Sequence, residues 1–368
     1  MYLKLRNLFI ISLFVAVFFG CEDKNTEQLD IGFIAGLSGK YSSLGISIRN
    51  GFTLAFDEIN HEIAGRKINI IEKDDKQNLD DAQKAMQYFI DNEIDLVVGN
   101  ATSSMTQKSL SMIKNKKDML LFSATASSSE FTNIDDNFLR IQVEHSKKRY
   151  SQLATFISEN NFNDIYLIHD SKNKSHVSGY SKILQDEVFK KTGKHYKYSI
   201  DINQPYNEIV DSLNAKKDDL IIIVANSVDS SNMIQFLRLK GLKSSILCSG
   251  WAKTLDFIEN GGKSIEGVIF FTGYDDHSQN KNFKKFVSKY KEKYNETPSV
   301  FAAQGYELGE ILIKKLKENS NIKFLKENLL KEKIYEGLQG KIIFDKYGDV
   351  SREYFFMKVK NGQFILTK

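Results

Sequence analysis

The sequence predicts an α/β fold made of two doubly wound parallel-sheet lobes. The first observation is that short apolar runs without polar alternation, typical of strands buried on both faces, alternate with amphipathic helical stretches. The second is that this alternation ends near residue 124 and begins again near residue 147. Strands that alternate with helices of this length form βαβ units and therefore parallel sheets. At 368 residues the chain is long enough for both lobes.

The first series contains four strands and three helices. Two helices carry apolar stripes within 48–59 and 82–90, and the third is predicted over 103–115. The strands are predicted at 31–37, 67–73, 94–99 and 118–124.

The second series has the same alternation. Its helices are predicted at 147–160, 178–191, 206–215 and 229–240. Its strands are predicted at 164–170, 196–201, 219–225, 244–249 and 266–273.

The last quarter of the chain starts with helical stretches and ends in strands. Helices are predicted at 280–295, 300–318 and 322–336, and because they cannot form a sheet alone we expect them to pack on the first half. The strand-rich end contains Asn361 and Gly362, a dipeptide typical of tight β-hairpins.

The N-terminal segment has the pattern of an export signal. Residues 1–20 combine a basic start with an apolar run over 8–19, which is short for a membrane span and typical of a signal peptide. A glycine then precedes Cys21, which resembles the lipobox of bacterial lipoproteins. We therefore predict lipidation of Cys21, followed by a polar tether over 21–29. The alternative is a cleaved signal with a chance cysteine.

Composition and motifs disfavour several classes of protein. Lys and Arg number 51 against 47 Asp and Glu, and this near-neutral balance argues against nucleic acid as a partner. Beyond Cys21 the one remaining cysteine is Cys248, so no disulfide is expected. We find no phosphate loop, nucleophile elbow or paired histidines with metal spacing. The chain is therefore predicted to be no enzyme and to use no cofactor or metal.

The ordered series of motifs resembles the type I periplasmic binding proteins. Within them it looks most like the leucine/isoleucine/valine-binding receptors of ABC importers, over residues 30–368. The resemblance implies three crossings between the lobes, near 144–148, 273–278 and 342–347. The motifs are LSGKYSSLG, RNGFTLAFDEIN, KDDKQNLDDAQKA, VVGNATSSMTQ, SATASSSEFT, ENGGKSIEGVIFFTGY, AAQGYELGEIL and FDKYGDV.

This resemblance implies an architecture and a role. Lobe 1 would comprise 30–145 and 276–344, and lobe 2 would comprise 146–275 and 345–368. The protein would be a monomeric, lipid-anchored solute receptor on the periplasmic or cell-surface face of a bacterial membrane. It would close on a small amino acid, carboxylate or amide and deliver it to an ABC permease. The alternative role is a sensory receptor that passes ligand occupancy to a signalling partner.

Hydroxyl-rich turns after two neighbouring strands are the predicted carboxylate site. Ser103 and Ser104 follow one strand, and Ala126 and Ser127 follow the next. In this fold ligands lie at the carboxyl ends of the strands, and a helix N-terminus attracts an anion. The resemblance places Ser103, Ala126 and Ser127 at the family's carboxylate clamp. The alternative for these serines is helix capping alone.

The residues expected to bind an ammonium group depart from the family pattern. The family's two acidic positions fall on His145 and near Trp251, where no acid stands. Glu144 would restore one acid if the register slips by one residue, and Trp251 would pack against an apolar ligand or simply fill core. The remaining candidates, taken from loops and strand ends, are Tyr41, Leu44, His176, Asn226 and Ser227.

Overall fold

A computed structural model of the chain describes residues 28–367. The predicted signal peptide, the lipidation site Cys21 and nearly all of the tether lie outside the described residues. Within 28–367, the structure contains two large sheets and one small one.

The first lobe is built on a six-stranded sheet in the order β2-β3-β1-β4-β5-β6. It is parallel except for the β2–β3 hairpin. The short strands β2 and β6 were not predicted, because two or three residues show no periodicity. Its strands are β1 (Leu29–Ala35), β2 (Glu62–Ile63), β3 (Arg66–Asp74), β4 (Leu96–Gly99), β5 (Leu120–Ser123) and β6 (Phe138–Arg140). Its helices are α1 (Ser42–Asp57), α2 (Leu79–Asp91) and α3 (Ser103–Ile113).

The second lobe is built on a seven-stranded sheet that includes the C-terminal hairpin of β15 (Phe355–Lys360) and β16 (Gln363–Leu366). The strand order is β16-β15-β11-β10-β9-β7-β8. Its parallel strands are β7 (Ile165–His169), β8 (Tyr196–Asp201), β9 (Leu220–Val224), β10 (Ser245–Cys248) and β11 (Ile269–Thr272). Its helices are α4 (Lys147–Glu159), α5 (Lys174–Thr192), α6 (Tyr206–Leu213), α7 (Ser227–Leu239) and α8 (Leu255–Gly261). These two sheets confirm the predicted α/β fold of two lobes.

The C-terminal hairpin has the turn that its sequence predicts. Asn361 and Gly362 have φ values of 52° and 69°, as a two-residue type I′ turn requires. They join β15 (Phe355–Lys360) to β16 (Gln363–Leu366), and β15 pairs antiparallel with β11 at the sheet edge.

Three helices between the second and third crossings pack on the first sheet, as predicted. They are α9 (Lys281–Tyr294), α10 (Val300–Glu318) and α11 (Leu325–Glu332), and their buried residues join the core of the first lobe. The helix predicted over 322–336 ends at Glu332, because its last residues form a strand instead. That strand, β12 (Ile334–Glu336), belongs to a small antiparallel sheet with β13 (Lys341–Phe344) and β14 (Val350–Ser351).

The third crossing lies later in the chain than 342–347. Phe344 and Val350 are buried in the core of the first lobe, so the chain passes to the second sheet only between Ser351 and Phe355. Residues 345–351, expected in lobe 2, therefore pack with lobe 1. Their apolar residues are too sparse to show from sequence which core they enter.

Helices α1 and α10 touch backbone to backbone. A Cβ atom on Gly51 would lie 1.8 Å from the carbonyl oxygen of Ala302, and one on Gly305 would lie 2.2 Å from that of Ile48. Both contacts are far inside van der Waals distance, so a side chain at either position forces the helices apart.

Gly51→Ala is therefore expected to lower the free energy of unfolding by about 1–3 kcal/mol, the usual range for overpacking. Thermal or urea unfolding measures this loss. Gly250→Ala is a matched control, because the nearest neighbour of its Cβ would be 4.0 Å away. Equal stability of the two variants would contradict the close approach of α1 and α10.

Candidate functional site

A cavity of about 60 Å³ lies between the two lobes. Both lobes and the crossings contribute to its walls, as is typical of small-molecule sites between domains. Its lining is Leu44, Ala101, Thr102, Ser103, Thr125, Ser127, Gln142, Val143, Asn173, His176, Gly250, Trp251, Thr272, Gly273, Tyr274, Val300, Phe301, Gln304, Arg352 and Tyr354.

The first-lobe wall is formed by two adjacent strand ends tied together by one hydroxyl. Ser103 is the first residue of α3, and its Oγ accepts hydrogen bonds from the backbone N–H groups of Ser127 and Ser128, both at 3.2 Å. The N-cap of α3 is Thr102, not Ser103, and its side chain makes no capping bond. The positive end of the helix dipole therefore faces the cavity region beside these hydroxyls.

The second-lobe wall is aromatic and polar. His176 Nδ1 lies 3.0 Å from Ser127 Oγ across the lobe boundary. The ring of Trp251 is 5.6 Å from that of His176 and stacks on Tyr41 of the first lobe at 6.4 Å. Trp251 is 8% exposed, so these rings cover one side of the cavity.

Helix α10 and residues at the first and third crossings supply a third wall that the sequence did not reveal. Gln304 Nε2 donates to Gln142 Oε1, and Gln142 Nε2 donates to the hydroxyl of Tyr354 at 3.3 Å. Arg352 Nη2 donates to Glu307 Oε2 at 2.6 Å. These residues come from positions far apart in the chain, and the AAQGYELGEIL motif contains only two of them, Gln304 and Glu307.

Four buried polar atoms on lining residues have no hydrogen-bond partner within residues 28–367. Leaving a buried polar atom unpaired costs about 1–3 kcal/mol, so such atoms are candidates for ligand contact. They are His176 Nε2, the Tyr274 hydroxyl, Gln304 Oε1 and Arg352 Nε.

Polar contacts at the rim hold the two lobes against each other. Lys40 pairs with Asp229 at 2.7 Å, and the Tyr41 hydroxyl donates to Asp170 at 3.0 Å. The backbone N–H of Ser104 donates to Asn173 Oδ1 at 3.2 Å. The structure is therefore a closed arrangement of the lobes.

The lining contains a cation but no carboxylate among the described residues, and the cation is paired with Glu307 outside the lining. Among the described lining residues, Arg352 is the one that carries a formal charge. Burial, and then the Arg149 guanidinium, lower the pKa of His176 to about 3. Burial also lowers the pKa of His145 well below its usual value, so both imidazoles are neutral at pH 7. Within residues 28–367 no group of three or more His, Cys, Asp or Glu side chains could hold a metal ion.

These two histidines give the stability a pH dependence. Their pKa values are depressed in the folded state, so the unfolded chain binds more protons as the pH falls below their ordinary value of 6.5. For His176 stability is therefore lost between that pH and about 3, by up to about 1.4 kcal/mol per pH unit. The lowered pKa of His145 acts in the same direction.

His176→Phe is accordingly expected to flatten the decline of the melting temperature between about pH 6 and pH 4. Tyr180→Phe is the control, because Tyr180 packs on the same rings and burial raises its pKa far above this range. If the melting temperatures of both variants fall with pH as steeply as that of the parent protein, the folded state does not hold His176 as a buried, neutral imidazole.

A family model described as periplasmic binding protein matches residues 28–363. The chain belongs to the periplasmic binding protein family. None of the curated proteins matches this one. Within residues 28–367 no helix has the length and apolarity needed to span a bilayer.

Solved structures share the fold of this periplasmic binding protein. The leucine-binding protein LivK from Thermotoga maritima is 21% identical, with a TM-score of 0.83 over 92% of this chain and 98% of that one. LivJ from Streptococcus pneumoniae, solved with isoleucine, is also 21% identical, with a TM-score of 0.83 over 93% and 99% of the chains. An R. palustris solute-binding protein solved with benzoate is 15% identical, with a TM-score of 0.81 over 92% and 95%.

The structure brings five of the predicted site residues to the cavity. Two others lie next to it: Tyr41 stacks on Trp251, and Ser104 bonds across the lobes. His145 lies behind the wall, with Nε2 at 3.1 Å from His176 Nδ1. The five lining residues are Leu44, Ser103, Ser127, His176 and Trp251.

The structure places the other predicted site residues elsewhere. Ala126 is fully buried in the core, and its N–H donates to Ser123 Oγ at 3.1 Å. Asn226 caps α7 by accepting the N–H of Asp229, and Ser227 Oγ meets Ser43 Oγ at 3.4 Å on the rim. Glu144 is half-buried and does not line the cavity.

Proposed function

We propose that this periplasmic binding protein is the solute-binding lipoprotein of an ABC importer and that its ligand is a compact carboxylate, or the corresponding amide, without an α-ammonium group. Lipidation at Cys21 would anchor the protein, as a monomer, to the periplasmic or cell-surface face of a membrane. The closed lobes would form the surface that an ABC permease recognises.

The observation that carries this ligand class is that, within residues 28–367, a guanidinium lines the cavity and no carboxylate does. That guanidinium, Arg352, is paired with Glu307, which does not line the cavity, and the dipole of α3 adds a positive potential beside Ser103. An ammonium group there would face a cation and helix N–H groups instead of a carboxylate. The acid considered for that role, Glu144, lies outside the lining.

The volume of the cavity supports a small ligand. A cavity of about 150 Å³ holds benzene, whereas this one has about 60 Å³ in the closed structure. Isoleucine and benzoate, found in the two structural neighbours, share a carboxylate and differ in the rest. The group that these two ligands share supports a carboxylate on the ligand of this protein, and the volume of the cavity favours a ligand smaller than isoleucine or benzoate.

Contacts from both lobes would couple ligand binding to transport. A ligand shifts the open–closed balance only as far as it binds the closed form better. Ser103 of the first lobe and His176 of the second lobe both line the cavity, so a ligand that contacts both favours closure.

A thermal-shift screen with matched pairs tests this function. Each pair differs only by the ammonium group: propionate and alanine, isovalerate and valine, 3-phenylpropionate and phenylalanine, with propionamide as the amide. Binding to the folded state stabilises it by RT ln(1 + [L]/Kd). We expect melting temperature to rise with the smaller carboxylate or amide, and a rise with the amino acids alone would refute the proposal.

A charge-balanced variant isolates the role of the cation. Removing Arg352 alone would leave Glu307 buried and unpaired, so both are replaced in Arg352→Gln, Glu307→Gln. This double variant is expected to lose most of the carboxylate-induced shift and to keep any shift with propionamide.

A further inference from the structure

A buried row of polar side chains leads from helix α4 to the cavity. The Tyr150 hydroxyl lies 2.5 Å from His145 Nδ1, and His145 Nε2 lies 3.1 Å from His176 Nδ1. Ser127 Oγ is within 3.3 Å of His145 Nε2 and 3.0 Å of His176 Nδ1. The other nitrogen of His176, Nε2, is buried on a lining residue without a partner among residues 28–367.

The first member of this row sets the direction of the hydrogen bonds. Burial raises the pKa of the Tyr150 hydroxyl well above its usual value, so it keeps its proton. Its hydrogen-bond partner in the described chain is His145 Nδ1, which must therefore accept. A neutral imidazole carries one proton, so that of His145 lies on Nε2.

The direction of these hydrogen bonds in turn determines the tautomer of His176. His145 Nε2–H donates to Ser127 Oγ or directly to His176 Nδ1. In the first case the acceptor left for the Ser127 hydroxyl proton among the described side chains is His176 Nδ1. By either route His176 Nδ1 accepts, so the single proton of His176 lies on Nε2.

The opposite direction is less favourable. If His145 Nδ1–H donated to Tyr150, the buried hydroxyl proton of Tyr150 would have no acceptor within residues 28–367, and His176 Nε2 would still be unpaired. Two buried polar groups would then be unsatisfied instead of one, at about 1–3 kcal/mol each.

We propose that the Tyr150–His145–Ser127–His176 row fixes His176 Nε2 as an N–H donor toward the cavity, which makes His176 a specificity-determining residue that requires a hydrogen-bond acceptor on the ligand. This rests on the proposed function and deepens it: a carboxylate or carbonyl oxygen satisfies Nε2–H, and an ammonium group opposes it. Ser127 belongs to the first lobe and His176 to the second, so the closed lobes complete the row.

The tautomers can be read directly on the full-length chain without any ligand. Long-range ¹H–¹⁵N correlation of labelled histidine at pH 7 is expected to show His145 and His176 as neutral Nε2–H tautomers. An Nδ1–H tautomer or an imidazolium at His176 would overturn the inference. Failure of every carboxylate to bind would instead contradict the proposed function, so the two failures are distinguishable.

Two tyrosine variants test whether the row sets the donor. Tyr150→Phe removes the hydroxyl that forces His145 Nδ1 to accept, so the exclusive Nε2–H signature of both histidines should be lost. Affinity for propionate should fall about threefold to tenfold, as expected for one hydrogen bond. Tyr180→Phe, which packs on the same two rings outside the row, should change neither. Unaltered tautomers and affinity in Tyr150→Phe would overturn the proposal.

Discussion

Replacing Asp349 by alanine is expected to lower the free energy of unfolding by about 3–5 kcal/mol, because it leaves a buried guanidinium without its counter-charge. Arg140 is 0% exposed, and its Nε donates to Asp349 Oδ1 at 2.7 Å. Its other nitrogens donate to the carbonyl oxygen of Ser128 at 2.8 Å and to Thr132 Oγ1 at 2.7 Å. The same loss should loosen the loop that carries Ser127, so ligand affinity should fall too.

Urea unfolding of the variant measures the effect, with Asp135→Ala as the control. Asp135 also has a basic partner, Lys326 at 3.5 Å, but its side chain is 87% exposed. Exposed ion pairs contribute only about 0–1 kcal/mol. If Asp349→Ala is no more destabilising than Asp135→Ala, the carboxylate of Asp349 is not what stabilises the buried charge of Arg140.

Replacing both Ser103 and Ser127 by alanine is expected to abolish the stabilisation produced by ligand. These hydroxyls join the two strand ends that face the cavity, and Ser127 also belongs to the histidine row. A ligand present at a thousand times its Kd raises the free energy of unfolding of the parent protein by about 4.1 kcal/mol. The double variant should show no shift in melting temperature with the carboxylate that shifts the parent.

A serine on the same helix provides the matched control for that experiment. Ser109 is buried on α3, and its Oγ has no hydrogen-bond partner within residues 28–367. Ser109→Ala should therefore keep the full ligand response. An unchanged response in the double serine variant would place the ligand elsewhere.

The sequence by itself determined the features that arise from neighbouring residues. Apolar runs such as Leu220–Val224 predicted buried parallel strands, and Asn361 and Gly362 predicted the hairpin turn. Ser103 and Ser127 could be found because each follows a predicted strand, and the ends of adjacent parallel strands meet at one edge of the sheet. These are local patterns combined with a general rule of the fold.

The third wall of the cavity was decided only by the tertiary structure. Gln142, Gln304 and Arg352 meet there although 162 residues separate the two glutamines in the chain. No periodicity or spacing relates such positions, because the contact forms only when the segment after β6, helix α10 and the third crossing pack together.

The sequence also could not decide whether Glu144 or its neighbour His145 faces the site. Neighbouring side chains point in different directions, so a shift of one residue decides whether an acid or an imidazole faces the site. The structure buries His145 behind Ser127 and His176 and leaves Glu144 outside the lining. The sequence could predict an anion site at the strand ends, whereas the charge and hydrogen-bond direction opposite it depend on how the second lobe and the crossings pack against the first.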